Sequence, residues 1–159
     1  MGFYLVILLS TSLVVLLFPA IWLNTLMDTN KHLKPGLSHQ MEFTVEERHT
    51  ASHIGSGRVK VLATPWMIAF MEITSRTLLD MHLPDSYSSV GTLVNVRHLA
   101  PTPLGSKVHA QVNIEKVEGN KITLSVSVSE GEVEVGKGAH ERYVIDVDRF
   151  LKRVNKLDQ

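Results

Sequence analysis

The sequence predicts an α+β fold in which one long helix is wrapped by a curved antiparallel sheet. Two observations carry this prediction. Residues 66–73 are apolar on almost every side of a helix, interrupted only by Glu72, and such a helix must be covered by other structure. Further along the chain, several long segments alternate apolar and polar residues, as strands with one buried face do. A sheet curled around the helix satisfies both patterns.

The elements up to the end of the helix are indicated by alternation and by helix-boundary residues. We expect a short strand at 41–47, a polar, glycine-containing loop at 48–57 and a weak strand at 58–63. The helix is predicted over 64–84, because Thr64 is a good N-cap and Pro65 a favoured first helical residue. Pro84 marks its end.

Four longer strands are predicted after the helix, at about 90–100, 107–118, 121–129 and 132–147. Gly119 and Asn120 separate the two middle strands, which is typical of a tight hairpin. Gly136 and Gly138 inside the last strand indicate a bulge or a close backbone approach, and the charged tail after it suggests a final helical turn or two. A central helix followed by this meander is the hot-dog architecture. Because its edge strand usually pairs across a dimer, we expect a homodimer or a higher assembly.

Length and composition bound the classes of function. The 159 residues suffice for one domain, which we place at 41–159, after a hydrophobic segment at 1–26 and a linker at 27–40. Lys plus Arg and Asp plus Glu balance at 16 each, so bulk charge does not favour nucleic-acid binding. The chain has no cysteine, which excludes disulfides, thiolate metal sites and cysteine nucleophiles.

The first residues form a distinct apolar segment. Residues 3–23 carry no charge and are about as long as a bilayer-spanning helix. Trp22 lies where an interfacial aromatic is expected, and Lys31 and Lys34 follow, which would place the remainder in the cytosol. We therefore expect membrane anchoring through residues 3–23. The alternatives are a cleaved signal peptide, which lacks the usual flanking features here, and a mis-called extension with Met27 as the true start.

His98 is the first candidate catalytic group. On an alternating strand it shares a face with Thr92, Val94 and Val96, and that face should be packed. A buried imidazole needs a hydrogen-bond partner. His98 is either an inert, satisfied core histidine or a general base partnered by Glu72 on the covering helix.

Thr64 and Glu72 are the other two candidates, and they lie about two helical turns apart, so both can line one cleft. Thr64 is either simply an N-cap or a cap whose hydroxyl also takes part in chemistry. Glu72 is either an exposed partner of Arg76 or a carboxylate at the lip of an apolar pocket. His49 and His53 have a spacing that suits a metal only on a helix, and their segment is predicted as a loop, so no metal site is expected.

Three separated segments carry a family likeness: "ATPWMIAFME" (63–72), "SVGTLVNVRHLAPTP" (89–103) and "VGKGAHERYVIDVDRF" (135–150). Through them, residues 33–156 resemble the hot-dog thioesterases of the fluoroacetyl-CoA thioesterase type. The resemblance implies hydrolysis of an acyl-CoA thioester to a free acid and coenzyme A, with no cofactor. The other interpretation is a non-catalytic acyl-CoA-binding or regulatory module on the same fold.

The resemblance also implies roles for individual residues. Thr64, Glu72 and His98 correspond to the family's catalytic group, Gly91 to a point where backbone approaches the substrate, and Arg142 to a substrate-facing charge. One departure concerns the acyl group. The fluoroacetate enzyme covers its pocket with a phenylalanine-bearing lid, whereas the corresponding "HIGSGRVKVLA" (53–63) contains no aromatic residue. We therefore expect a general or unknown acyl group rather than fluoroacetyl.

Overall fold

The computed structural model describes residues 27–156, and within them the chain forms one antiparallel sheet around a long helix. The sheet order is β1-β3-β4-β5-β2. The elements in chain order are α1 (Thr29–His32), β1 (Ser38–Thr44), α2 (Ala51–Ile54), α3 (Thr64–Asp80), β2 (Tyr87–His98), β3 (Lys107–Glu118), β4 (Lys121–Glu130), β5 (Val133–Asp146) and α4 (Val147–Val154). The predicted α+β architecture is confirmed.

The segment ahead of α3 differs from its prediction. Residues 58–63 do not form a strand, and bridges such as Val61 with Pro103 stay isolated, because proline has no N–H with which to continue a ladder. The predicted loop contains a 3-10 turn (Glu47–His49) and α2. Ala63, not Thr64, is the N-cap of α3, so the threonine begins the helix and its hydroxyl is not used for capping.

The core lies between α3 and the concave face of the sheet. α3 packs against β1, β2, β3 and β4. Its Phe70 ring is fully buried and stacks on Phe43 of β1 with 4.3 Å between ring centroids. Burial of a side chain of this size contributes about 1.5–3 kcal/mol. This packing fixes α3 against the sheet and so fixes the positions of the polar groups in its N-terminal half. Its buried apolar residues are Met67, Phe70, Met71, Leu78 and Leu79.

A bulge in β2 decides which of its residues face α3. Gly91 and Leu93 pair with consecutive residues of β5, so Thr92 is an extra residue in the ladder. Side chains alternate along a strand, and the bulge therefore puts Gly91 on the same face as His98. The sequence pattern, which assumes unbroken alternation, assigned Thr92 to that face instead.

β2 is an edge strand of the described sheet, and its middle is open. Leu93 and Val94 are 45% and 41% exposed. The prediction that the valine face of this strand is packed is thus wrong for Val94 within the described chain. β2 has a neighbouring strand on one side only, so its side chains lack neighbours on the other side.

No helix within residues 27–156 is long and apolar enough to cross a membrane. The transmembrane helix predicted from the sequence is thus not found among the described helices. Residues 3–23, where that helix and the anchoring were placed, lie outside the described part of the chain.

Candidate active site

Thr64 and His98 meet where α3 begins and β2 ends. The Thr64 Oγ1 atom lies 2.9 Å from His98 Nδ1. At the other end of the same two elements, the Ser88 hydroxyl donates to Asp80 Oδ1 over 3.1 Å, so α3 and β2 run in opposite directions. This arrangement brings a hydroxyl and an imidazole together from positions 34 residues apart.

His98 is held in a state that suits proton acceptance. Burial lowers the pKa of its imidazole below the ordinary 6.5, opposed by a backbone interaction at Ala100. A neutral imidazole whose Nδ1 faces the Thr64 hydroxyl can accept that proton. Its Nε2 is buried and has no hydrogen-bond partner among residues 27–156. A satisfied core histidine would not leave this atom unpaired.

Glu72 lies two turns further along α3, and within the described chain its contact is with β5 rather than with His98. Its Oε1 atom is 3.7 Å from His140 Nε2, and its side chain is 43% exposed. Arg76, the alternative partner, pairs with Asp80 at 2.7 Å instead. The Glu72 carboxylate is therefore half-exposed, and it does not form the ion pair with Arg76 that was one of its two predicted arrangements.

Gly91 makes room for this carboxylate. A Cβ atom at this position would lie 2.7 Å from Glu72 Oε1 and 3.2 Å from His140 Cε1. Any other residue would therefore displace the carboxylate. This gives a physical reason for glycine at a position that the resemblance linked to close backbone approach.

Arg142 is placed behind Glu72, inside the protein. It is 5% exposed. Its Nε donates to Ser89 Oγ over 2.8 Å, its Nη2 to the Ser89 carbonyl over 2.7 Å, and its Nη1 lies 3.1 Å from His140 Nε2. Burial lowers the pKa of the guanidinium, and the charges of Glu72 and Asp80 oppose that shift. The side chain that was expected to face substrate is thus engaged with groups of the protein.

An open cavity lies beside the Thr64–His98 pair. Its volume is about 460 Å³, within the range of small-molecule sites. Its walls come from residues 51–64 and 98–101 and include Ser56, Gly57 and Val59. Small and aliphatic side chains therefore line this cavity beside Thr64.

His140 is the site residue that sequence reasoning missed. It is 1% exposed and lies between Arg142 and Glu72. The sequence contains a signal for His140, because positions 140, 142 and 144 of an alternating strand point to the same face. An arginine buried on that face needs hydrogen-bond partners there.

His49, one of the two histidines weighed for metal binding, takes part in packing. It is 4% exposed and lies against Trp66 and Phe70, with 4.3 Å and 5.1 Å between ring centroids. Its Nδ1 accepts a bond from the Glu46 N–H over 3.0 Å. His53 lies on the surface. Among the residues described, no group of three or more potential ligands is arranged to hold a metal.

Comparison with known proteins yields a family match. Residues 45–148 match the family described as fluoroacetyl-CoA-specific thioesterase. The fluoroacetyl-CoA thioesterase of Streptantibioticus cattleyicolor is 34% identical over 97 residues, which cover 61% of this chain and 70% of that protein.

Solved structures agree with this match. A threonine-to-serine mutant of the fluoroacetyl-CoA thioesterase FlK in complex with acetyl-CoA aligns with a TM-score of 0.75 at 28% identity, covering 80% of this chain and 100% of that one. A hot-dog-like protein from Thermanaerovibrio acidaminovorans aligns with a TM-score of 0.75 at 30% identity, covering 82% and 96%. These similarities confirm the predicted hot-dog fold.

Proposed function

Because the chain belongs to the fluoroacetyl-CoA-specific thioesterase family, we propose that it hydrolyses an acyl-CoA thioester to the free acid and coenzyme A with Thr64, Glu72 and His98 as its catalytic group. Family membership confirms the predicted class of enzyme, a thioester hydrolase. The observation that supports the assignment of Thr64 and His98 is the 2.9 Å contact between Thr64 Oγ1 and His98 Nδ1 at an open cavity.

In the proposed reaction, His98 Nδ1 accepts a proton from the attacking hydroxyl, which belongs to Thr64 or to a water molecule. The oxygen attacks the thioester carbonyl carbon. The C–S bond then breaks, and the coenzyme A thiolate leaves and takes up the proton held on His98. When water attacks, the acid is released directly; when Thr64 attacks, water hydrolyses the acyl-threonine ester by the same route.

The developing oxyanion requires a preorganised donor. At the start of α3, Pro65 has no N–H, and the N–H groups of Trp66 and Met67 donate to the Ala63 carbonyl over 3.0 Å each. We therefore assign the Thr64 N–H as the helical donor. The positive end of the 17-residue helix adds to the stabilisation of negative charge at this point.

We also propose that a second copy of the chain completes the site. Gly91 and His98 share a face of β2, and each lies three ladder positions from Asn95, because the bulge adds one extra residue on the Gly91 side. Antiparallel pairing of two β2 strands about a two-fold axis at Asn95 would place His98 opposite Gly91 of the partner subunit, beside the partner subunit's Glu72. That carboxylate would accept the N–H of His98 Nε2, which lacks a partner within the described chain.

The dimer is tested by the mass of the protein in solution. We expect sedimentation equilibrium to give twice the mass of the chain under assay conditions, since an edge strand with exposed Leu93 and Val94 favours pairing. A monomer that hydrolyses acyl-CoA at full rate would contradict the shared site.

The acyl group is proposed to be short to medium in length, with no requirement for fluorine. The cavity beside Thr64 is open and lined by small and aliphatic side chains, including Gly57 and Val59. We expect the kcat/KM values for acetyl-CoA and fluoroacetyl-CoA to agree within about tenfold, because hydrophobic walls discriminate weakly between such similar groups.

A panel of acyl-CoA substrates, followed by release of the free thiol, tests the function. The wild-type protein should turn over several short acyl-CoAs, and His98→Ala should turn over none while keeping its circular dichroism spectrum and unfolding transition. Binding of acyl-CoA without turnover by the wild-type protein would favour the rival, a non-catalytic acyl-CoA-binding module.

A further inference from the structure

Behind the proposed catalytic carboxylate lies a buried group that the mechanism above does not use. His140 of β5 is 1% exposed and lies between two opposite charges. Its Nε2 is 3.1 Å from Arg142 Nη1 and 3.7 Å from Glu72 Oε1. On its other side, Nδ1 is 2.8 Å from the Leu93 carbonyl oxygen, at the bulge of β2.

These contacts determine where the imidazole carries its proton. A carbonyl oxygen can only accept, so Nδ1 must be the nitrogen that donates to Leu93. A guanidinium can only donate, so Nε2 must present its lone pair to Arg142. His140 is therefore a neutral imidazole in the Nδ1–H form. Burial, with the charge of Arg142, lowers its pKa, while the Leu93 carbonyl and Glu72 oppose that shift.

The neutral state has a consequence for Glu72. The lone pair of Nε2 is occupied by Arg142, and at 3.7 Å the imidazole forms neither a hydrogen bond nor an ion pair with the carboxylate. The guanidinium is held by His140 and by Ser89. The charge of Glu72 nevertheless opposes the lowering of the Arg142 pKa by burial, as does that of Asp80, so the guanidinium and the Glu72 carboxylate attract each other.

We propose that His140 is a positioning residue that binds the Arg142 guanidinium through Nε2 and so keeps it out of a direct ion pair with Glu72. The inference rests on the proposed function, in which Glu72 is catalytic. A carboxylate locked in a bidentate pair with arginine is a poor acceptor for another proton. With His140 in place, both Glu72 oxygens remain free for the partner subunit's His98 or for the nucleophile.

The charged surroundings of Glu72 support this assignment. On α3, Arg76 is already paired with Asp80. On β2, Gly91 adjoins the carboxylate and Ser89 binds Arg142, and neither side chain titrates. On β4, the apolar Leu124 pairs with His140. Arg142 forms no ion pair among residues 27–156, the charge of Glu72 acts on it, and His140 lies between the two groups.

Two variants of similar size separate the two hydrogen bonds of His140. His140→Gln places an amide oxygen near the position of Nε2 and keeps an acceptor for Arg142. His140→Asn places its amide near the position of Nδ1, so it keeps the bond to the Leu93 carbonyl and loses the acceptor. We expect His140→Asn to lower kcat by at least about tenfold with KM changed by less than about threefold, and His140→Gln to stay within about threefold of wild type.

Titration of the Glu72 carboxyl by ¹³C NMR, with Glu72→Gln to assign the signal, gives a readout that does not depend on turnover. In His140→Asn the freed guanidinium should pair with the carboxylate, so the carboxyl signal should change at a lower pH than in the wild-type protein, while His140→Gln should behave as the wild type does. Equal behaviour of the two variants, or an unchanged midpoint in His140→Asn, would overturn the assignment.

The two proposals fail in different ways. If the wild-type protein hydrolyses no acyl-CoA, the proposed function fails, and the NMR titration alone decides the role of His140. If the wild-type protein is active and the two His140 variants do not differ in kcat or in the Glu72 titration, the positioning role fails and the thioesterase assignment stands.

Discussion

At the scale of single residues, the contact between Thr64 and His98 is the feature on which the chemistry depends. Thr64→Val removes the hydroxyl and keeps the shape of the side chain. We expect it to lower kcat by about 100-fold or more, since both the nucleophile route and the positioning of His98 need the hydroxyl. Thr64→Ser retains the hydroxyl and should stay within about tenfold of wild type. Stopped-flow thiol release measures both, and near-wild-type turnover by Thr64→Val would remove this residue from the site.

The sequence was informative about which residues lie near the site and less so about their partners. Glu72 and His98 are indicated because they interrupt apolar patterns, and Thr64 because it stands at a predicted helix start. The contact of Glu72 with His140 depends on the register of β5 against β2, and that of Thr64 with His98 depends on where α3 begins. Neither register nor an exact helix start can be read from alternation alone.

At the scale of elements, alanine substitutions at Gly91 and Gly136 test how β2 and β5 approach α3. The first is expected to affect kcat and the second Tm. A Cβ at Gly91 meets the flexible end of Glu72, whereas a Cβ at Gly136 meets the Arg97 carbonyl at 2.8 Å as well as the Met67 side chain. Gly91→Ala should therefore lower kcat by about tenfold or more with little change in Tm, and Gly136→Ala should lower Tm.

Differential scanning fluorimetry and steady-state kinetics on the same preparations separate the two glycine variants. A large loss of Tm in Gly91→Ala with kcat retained in the folded fraction would contradict the assignment of this glycine to the space around Glu72.

The accuracy of the element predictions follows the strength of the local signals. β3 was predicted at its observed bounds (Lys107–Glu118), because regular alternation precedes a Gly-Asn turn. The extra residue at Thr92 was not foreseen, since a bulge interrupts alternation without a required residue type. The strand expected at 58–63 fails because alternation over so few residues does not specify a pairing partner.

At the scale of the whole molecule, three histidines link folding to pH. Burial lowers the pKa of His49, His98 and His140 below the ordinary 6.5. Below that pH the unfolded chain binds more protons than the folded one, so the free energy of unfolding falls as pH falls below 6.5 and is level just above it. Urea unfolding at pH 7.5, 6.5 and 5.5 should show this trend.

A control variant tests that the trend belongs to these side chains. His140→Gln cannot be protonated and should show a shallower loss of unfolding free energy between pH 6.5 and 5.5 than the wild-type protein. A free energy of unfolding that rises as the solution is acidified over this interval would contradict the account.

The shared active site is tested most directly by mixing inactive subunits. His98→Ala and Glu72→Gln each leave a homodimer without an intact site. If His98 works with the partner subunit's Glu72, a hybrid of the two variants contains one complete site, and random reassortment should restore about a quarter of wild-type turnover, because half of the dimers are hybrids with one working site of two. If the mixture is no more active than its inactive parents although hybrids have formed, the site does not cross the two-fold axis and the account is wrong.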